Sequence, residues 1–164
     1  MSLYLRDYFS HFVETNHSLS RDILRILSSV PEHLRKSIIL NKISEFFSMS
    51  DQQKSETINS VLEGYRNLDS THLIPVLTTC FRVISAQDAK TIVNTFCTYF
   101  DTLLLHPELV QSVDLQPIIE TLERLGIDQK NLMVDCYFEA LLLHHKRDKL
   151  KSMTLESAME FFRA

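Results

Sequence analysis

Apolar positions in the first half of the chain recur three or four residues apart, and one short unit of this pattern is written four times. Aligning Val30-Pro31-Glu32-His33 with Met49-Ser50-Asp51-Gln52, Leu68-Asp69-Ser70-Thr71 and Ile84-Ser85-Ala86-Gln87 gives successive offsets of 19, 19 and 16 residues. Three apolar columns then fall into line: Ile39, Ile58, Leu77, Val93; Ile43, Leu62, Phe81, Cys97; and Phe46, Tyr65, Ile84, Phe100. Spacings of three and four place such columns on one face of an α-helix, so each unit predicts a single helix. An amphipathic helix cannot bury its own stripe. Stacked neighbours must do it, which predicts a helical array.

The starts of these helices carry a common local chemistry. Ser29 precedes Pro31 and Glu32, Ser50 precedes Asp51 and Gln53, Asp69 precedes Ser70, and Ser85 precedes Gln87 and Asp88. Each set offers a capping oxygen ahead of the stripe, and three of the four place acids near the first turn. Helices are therefore expected to begin near Pro31, Asp51, Ser70 and Ala86. A nineteen-residue unit leaves about fifteen residues for the helix, about 22 Å, and connections short enough to predict antiparallel neighbours. Pro75 lies late for a first turn, which predicts a later start or a kink in that unit.

The flanks follow the same periodicity. Leu5, Tyr8, Phe9, Phe12 and Val13 predict a helix over about Ser2–Asn16, and Leu19, Ile23, Ile26, Leu27 and Val30 predict a shorter one after Ser18. The fourth unit runs on to His106-Pro107, where proline forces the preceding residue out of helical geometry. A helix from Asp114 is expected to close on Gly126 as a left-handed terminator. Asp128 is expected to cap an apolar helix near 129–150, whose hydrophobic residues cover more than one face and mark it as central. Thr154 begins a last short helix. The reading is one all-α domain over 1–164, an antiparallel array of about eight short helices: an N-terminal pair (1–29), the repeats (30–105) and C-terminal helices (114–164).

Composition narrows the function classes. Only Gly64 and Gly126 occur, where an average protein of this length carries about eleven glycines, so glycine-rich phosphate loops and hairpins are not expected. A net charge of −4 gives no reason to expect an extended nucleic-acid surface, though it leaves room for a local basic patch. No apolar run is long enough to span a bilayer, and Arg6, Asp7 and Glu14 interrupt the start where a signal peptide needs an apolar core. Cys80, Cys97 and Cys136 are odd in number and lie within apolar stretches, as reduced core thiols do. A cytoplasmic protein without membrane contact is expected.

Candidate chemistry is sparse. His11, His17, His33, His72, His106, His144 and His145 show no metal-ligand spacing, so neither a metal site nor a cofactor is expected. Acid pairs such as Glu120 with Glu123 have helix-surface spacing, and the cysteines lack the cationic setting that a nucleophilic thiolate needs. No catalytic residues are assigned. The run His144, His145, Lys146, Arg147, Asp148, Lys149 reads as a solvated C-terminal turn of the long helix or as a contact for an acidic partner. Aromatic residues at both ends of the chain, Tyr4 and Tyr8 with Phe161 and Phe162, suit docking on the core, a partner or a second copy.

Two functions are consistent with this pattern. One is a non-enzymatic interaction or regulatory module that binds a protein partner or itself, with Tyr4, Tyr8, His144, His145, Lys146, Arg147, Lys149, Phe161 and Phe162 as contact residues. The other is a carrier of a small apolar ligand, haem-like or lipid-like, in an interhelical pocket with His72, His106 and Tyr137 as polar contacts.

Overall fold

Capping chemistry sets where the helices begin. The computed structural model describes residues 17–109 and 113–151, and their regular structure is entirely helical. Seven helices are defined there: α1 (His17–Ser29), α2 (Glu32–Phe47), α3 (Asp51–Tyr65), α4 (Ser70–Ile84), α5 (Ala89–Leu105), α6 (Gln116–Glu123) and α7 (Ile127–Leu143). The helices expected before Asn16 and after Thr154, with Tyr4, Tyr8, Phe161 and Phe162, lie outside the described residues.

Two caps act as the sequence indicates. Ser50 Oγ accepts from the Gln53 N–H at 3.3 Å while Gln53 Oε1 accepts from the Ser50 N–H at 3.0 Å, a reciprocal capping box. Asp69 Oδ1 accepts from the His72 N–H at 3.2 Å. Two others differ. Asp88, not Ser85, caps α5, accepting from the Thr91 N–H at 3.0 Å, so that helix starts at Ala89; Ser85 instead closes α4, its N–H reaching Phe81 O. Ser29 is spent inside α1, donating to Arg25 O at 2.9 Å, and α2 begins behind Pro31 with no side-chain cap.

Two further expectations are corrected, a late helix start at Pro75 and a left-handed Gly126. Pro75 sits inside α4, which nonetheless begins at Ser70. Gly126 is not left-handed: its φ of −60° and ψ of 150° make it the N-cap of α7, with Asp128 in the first turn. Arg124 ends α6 in ordinary right-handed geometry and bonds back to Thr121 O and Leu122 O, so no positive φ is required.

Packing follows a rule that short connections alone did not suggest. The helices in closest contact are two apart in sequence: α1 with α3, α3 with α5 and α5 with α7 form one row, and α2 with α4 and α4 with α6 form the other. The rows are joined by α1 against α4, and consecutive α2 and α3 touch sparsely. The antiparallel relation holds across one intervening helix for α2 with α4, whereas α5 and α7 meet at their C-terminal ends, Asp101 against His144. Glu32 at the start of α2 pairs with Arg82 near the end of α4 at 2.8 Å, and Arg35 meets Thr79.

Two hydrophobic clusters fill the array. The larger joins Ile92, Phe100 and Leu103 of α5 to Met133, Cys136, Ala140 and Leu141 of α7, with Leu109 and Leu150. The smaller joins Ile23, Leu24 and Leu27 of α1 to Ile39 of α2 and to Val76 and Val83 of α4. Thus α7 anchors the larger cluster by one face and packs chiefly on α5, while Ile127, Leu142 and Leu143 on its other faces are exposed. At the α1–α3 contact Gly64 lets the backbone of Ser20 come so near that a Cβ there would stand 3.0 Å from its carbonyl carbon.

Arg35 is a buried cation that apolar columns could not predict. Its Nε donates to Thr79 Oγ1 at 3.0 Å, and its Nη1 donates to the carbonyls of Leu27, Ser28 and Val30 at 3.3, 3.1 and 3.3 Å. Those carbonyls close α1, whose last oxygens have no partner within the helix and whose dipole favours a cation. At the other end, the Tyr65 hydroxyl donates to Asp114 O and ties the approach to α6 onto α3. Among the described residues no helix is long and apolar enough to cross a membrane.

Candidate functional site

Two polar stripes face one cleft. On α3, Gln52, Ser55, Glu56 and Asn59 follow helical spacing, and on α5 Thr91, Asn94, Thr95, Thr98 and Asp101 do the same. Between them opens a groove of about 920 Å³, bordered by Phe46 and Phe47 from the end of α2 and by Leu105 and His106 from the end of α5. Ser55 and Thr102 bridge its walls at 3.1 Å. Thr102 already donates to Thr98 O, so Ser55 supplies the proton.

The α5 wall is rich in hydrogen-bond acceptors. Thr91 donates its hydroxyl proton to Asp88 Oδ2 at 2.6 Å, Thr95 donates to Thr91 O at 2.9 Å and Thr98 donates to Asn94 O at 3.1 Å. With each proton committed to its own helix, the hydroxyls have lone pairs left to offer. Asp51 and Glu56 on one wall and Asp101 on the other add acceptors, and Lys54 is the only lysine or arginine in the lining. Cys97 also lines the groove; burial, and then the Asp101 carboxylate, raise its pKa and keep it a thiol.

Beside the groove, Asp101, His144 and His145 bring three ligand-type atoms within 4.8 Å of one another. The hydrogen bonds fix the protonation of the buried ring. Lys146 N–H donates to His144 Nδ1 at 3.1 Å, so Nδ1 carries a lone pair and the neutral ring keeps its proton on Nε2, which donates to Asp101 Oδ1 at 3.1 Å. A metal on Nε2 would need that proton moved to Nδ1, against the Lys146 N–H. Metal-bound histidines instead donate from their second nitrogen, so this polarity is wrong for ligation. What the arrangement does is fasten the end of α7 to α5. Phe100 stands edge-on to the His144 ring at 6.2 Å, and His145 stacks on it at 4.6 Å.

The positions of the sequence candidates are now concrete. Of His72, His106 and Tyr137, only His106 lines the groove, as the C-cap of α5 with Nδ1 3.3 Å from Glu108 Oε1. His72 lies in the first turn of α4, bound through Nδ1 to Asp69 at 2.8 Å. Tyr137 packs edge-on to Phe96 and Phe100 at 5.3 and 5.1 Å between α5 and α7. The cationic run does not end a long helix. His144 takes an extended backbone (φ −65°, ψ 133°) that turns its ring inward and stops α7 at Leu143; helical structure resumes at 147–151. His145, Lys146, Arg147 and Lys149 are exposed, whereas His144 is buried. The groove walls were missed by reading only apolar columns, although their stripes have the same period. Comparison with protein-family models, curated proteins and solved structures finds no match to this chain.

Proposed function

We propose that this chain is a non-enzymatic interaction module that receives a segment of a partner protein along the α3–α5 groove. The observation that carries this reading is the shape and polarity of the groove. Its α5 wall runs from Thr91 to Leu105, about 21 Å at 1.5 Å per residue, which matches about six residues of extended peptide. Small-molecule sites enclose most of their ligand, whereas this cleft is open along one side and carries amides, hydroxyls and carboxylates along its length. Exposed Leu105 at its end, 68% accessible, supplies an apolar anchor of the kind that interfaces use. A second copy of the chain is one such partner. Three free cysteines support a reducing, cytoplasmic setting.

The test is selection from an unbiased peptide library on the full chain, counter-screened against Asn94→Arg, with native mass spectrometry of the same preparation. Peptides that bind the parent and are lost in the variant are expected. Binders indifferent to Asn94→Arg, or a co-purified small molecule retained by both proteins, would overturn the reading.

A further inference from the structure

Resting on the groove as the binding site, we infer that its occupant is a basic peptide segment, with arginine or lysine side chains reaching both walls. Three observations converge. Asp51 and Glu56 stand on α3 and Asp101 on α5, so carboxylates face the cleft from both sides, against the single cation Lys54. All three carboxylates are exposed; Glu56 accepts from Gln52 and Asp101 from His144 through one oxygen each, and none is paired with a lysine or arginine among the described residues. Third, the hydroxyl protons of Thr91, Thr95 and Thr98 are committed, so the α5 wall accepts far more than it donates. Arginine and lysine are the cationic side chains that only donate, arginine with five N–H groups, and they meet such a surface without leaving acceptors opposed to acceptors. An acidic segment would bring acceptors against acceptors. Asn59 and Asn94, which both donate and accept, are placed to pair with the segment's own backbone.

Fluorescence anisotropy of a labelled peptide of alternating arginine and alanine, titrated with the full chain, tests this. A glutamate–alanine peptide serves as the charge control. The basic peptide binds, the acidic one does not, and affinity falls as salt is added. Asp51→Asn, Glu56→Gln and Asp101→Asn each weaken binding about 1.5- to 5-fold, the range of exposed ion pairs, and the triple variant by about 3- to 100-fold. Asp128→Asn, on the exposed first turn of α7, leaves affinity unchanged. As a second readout, the bound peptide slows alkylation of Cys97 in the groove and not of Cys80, whose thiol burial pushes up to about 12.

Equal binding by the triple variant, or loss as large with Asp128→Asn, shows that net charge and not this groove attracts the peptide, and overturns the inference. If library selection returns groove-dependent peptides without basic residues, the charge assignment falls while the groove reading stands. If nothing selected depends on the groove, both fall.

Discussion

Replacing Arg35 with methionine removes the one guanidinium that closes α1 while keeping most of the apolar stem. The loss includes one hydrogen bond to Thr79 and a single Nη1 shared among three carbonyls. Because one nitrogen carries two protons, those carbonyl contacts amount to about two bonds at most. Hydrogen bonds to charged groups contribute about 1.5–3 kcal/mol each, and relief of the guanidinium's own desolvation offsets part of the loss. The expected destabilisation is about 2–4 kcal/mol, or a fall in Tm of roughly 5–15 °C for a domain of this size. Arg35→Lys should recover part of it, since an ammonium still faces the end of the α1 dipole but cannot span the carbonyls and Thr79 together. Thr79→Val should cost about 1 kcal/mol. In a double-mutant cycle its effect should shrink once Arg35 is gone. Urea unfolding followed by far-UV circular dichroism measures the parent, the three single variants and the double variant. An Arg35→Met protein as stable as the parent would show that the cation's desolvation cancels its contacts, and the role given to it here would be wrong.

Two further perturbations check other parts of the fold. Gly64→Ala sets two effects against each other: alanine favours a helix by about 1 kcal/mol, but its Cβ would stand 2.9 Å from Leu24 Cδ1 and 3.0 Å from the immovable Ser20 carbonyl carbon. Overpacking costs about 1–3 kcal/mol, so a net loss of about 1 kcal/mol and a Tm lower by a few degrees are expected; a raised Tm would refute the close α1–α3 contact. Bonds from the Thr71 hydroxyl and then from His72 hold the Asp69 carboxyl well below the usual range, so its stabilisation is complete above about pH 4 and is lost as pH falls toward its lowered value. Asp69→Asn, which keeps a capping oxygen and does not titrate, should lose less stability than the parent between pH 5 and about pH 3 in urea titrations. Parallel losses in the two proteins would refute the assignment.

Much of the architecture was legible because helix starts are local chemistry. Ser50 with Gln53, and Asp69 ahead of Ser70, announce helices from neighbouring residues alone, and α3 and α4 begin at Asp51 and Ser70 as expected. The α5 start slipped because Ser85 and Asp88 are both competent caps three residues apart. The choice between them depends on Ser85 being taken up in the close of α4. The order of packing was hidden for a different reason. Apolar columns say that a face is buried but not against which helix, so the association of helices two apart could not be read from repeats of similar face. His144 was misread as solvent-facing because its surroundings in sequence are cationic. Phe100 and Asp101, which draw the ring inward, come from another helix.

The groove itself follows from that packing order. A helix in such a row normally turns its apolar stripe to its neighbours and its polar stripe to water. Here α3 and α5 are row neighbours whose polar stripes both border one cleft, while Leu62 and Phe100 meet the larger cluster. Burying the carboxylates and committed hydroxyls against each other would leave acceptors opposed across the gap, a loss for every unmatched pair. Keeping the gap hydrated avoids that cost. A ligand that displaces the water must then return the same hydrogen bonds to gain affinity, and one that brings donors does so on both walls. On the proposed reading, the mismatch between the polar stripes of α3 and α5 would also select the chemistry of a segment bound between them.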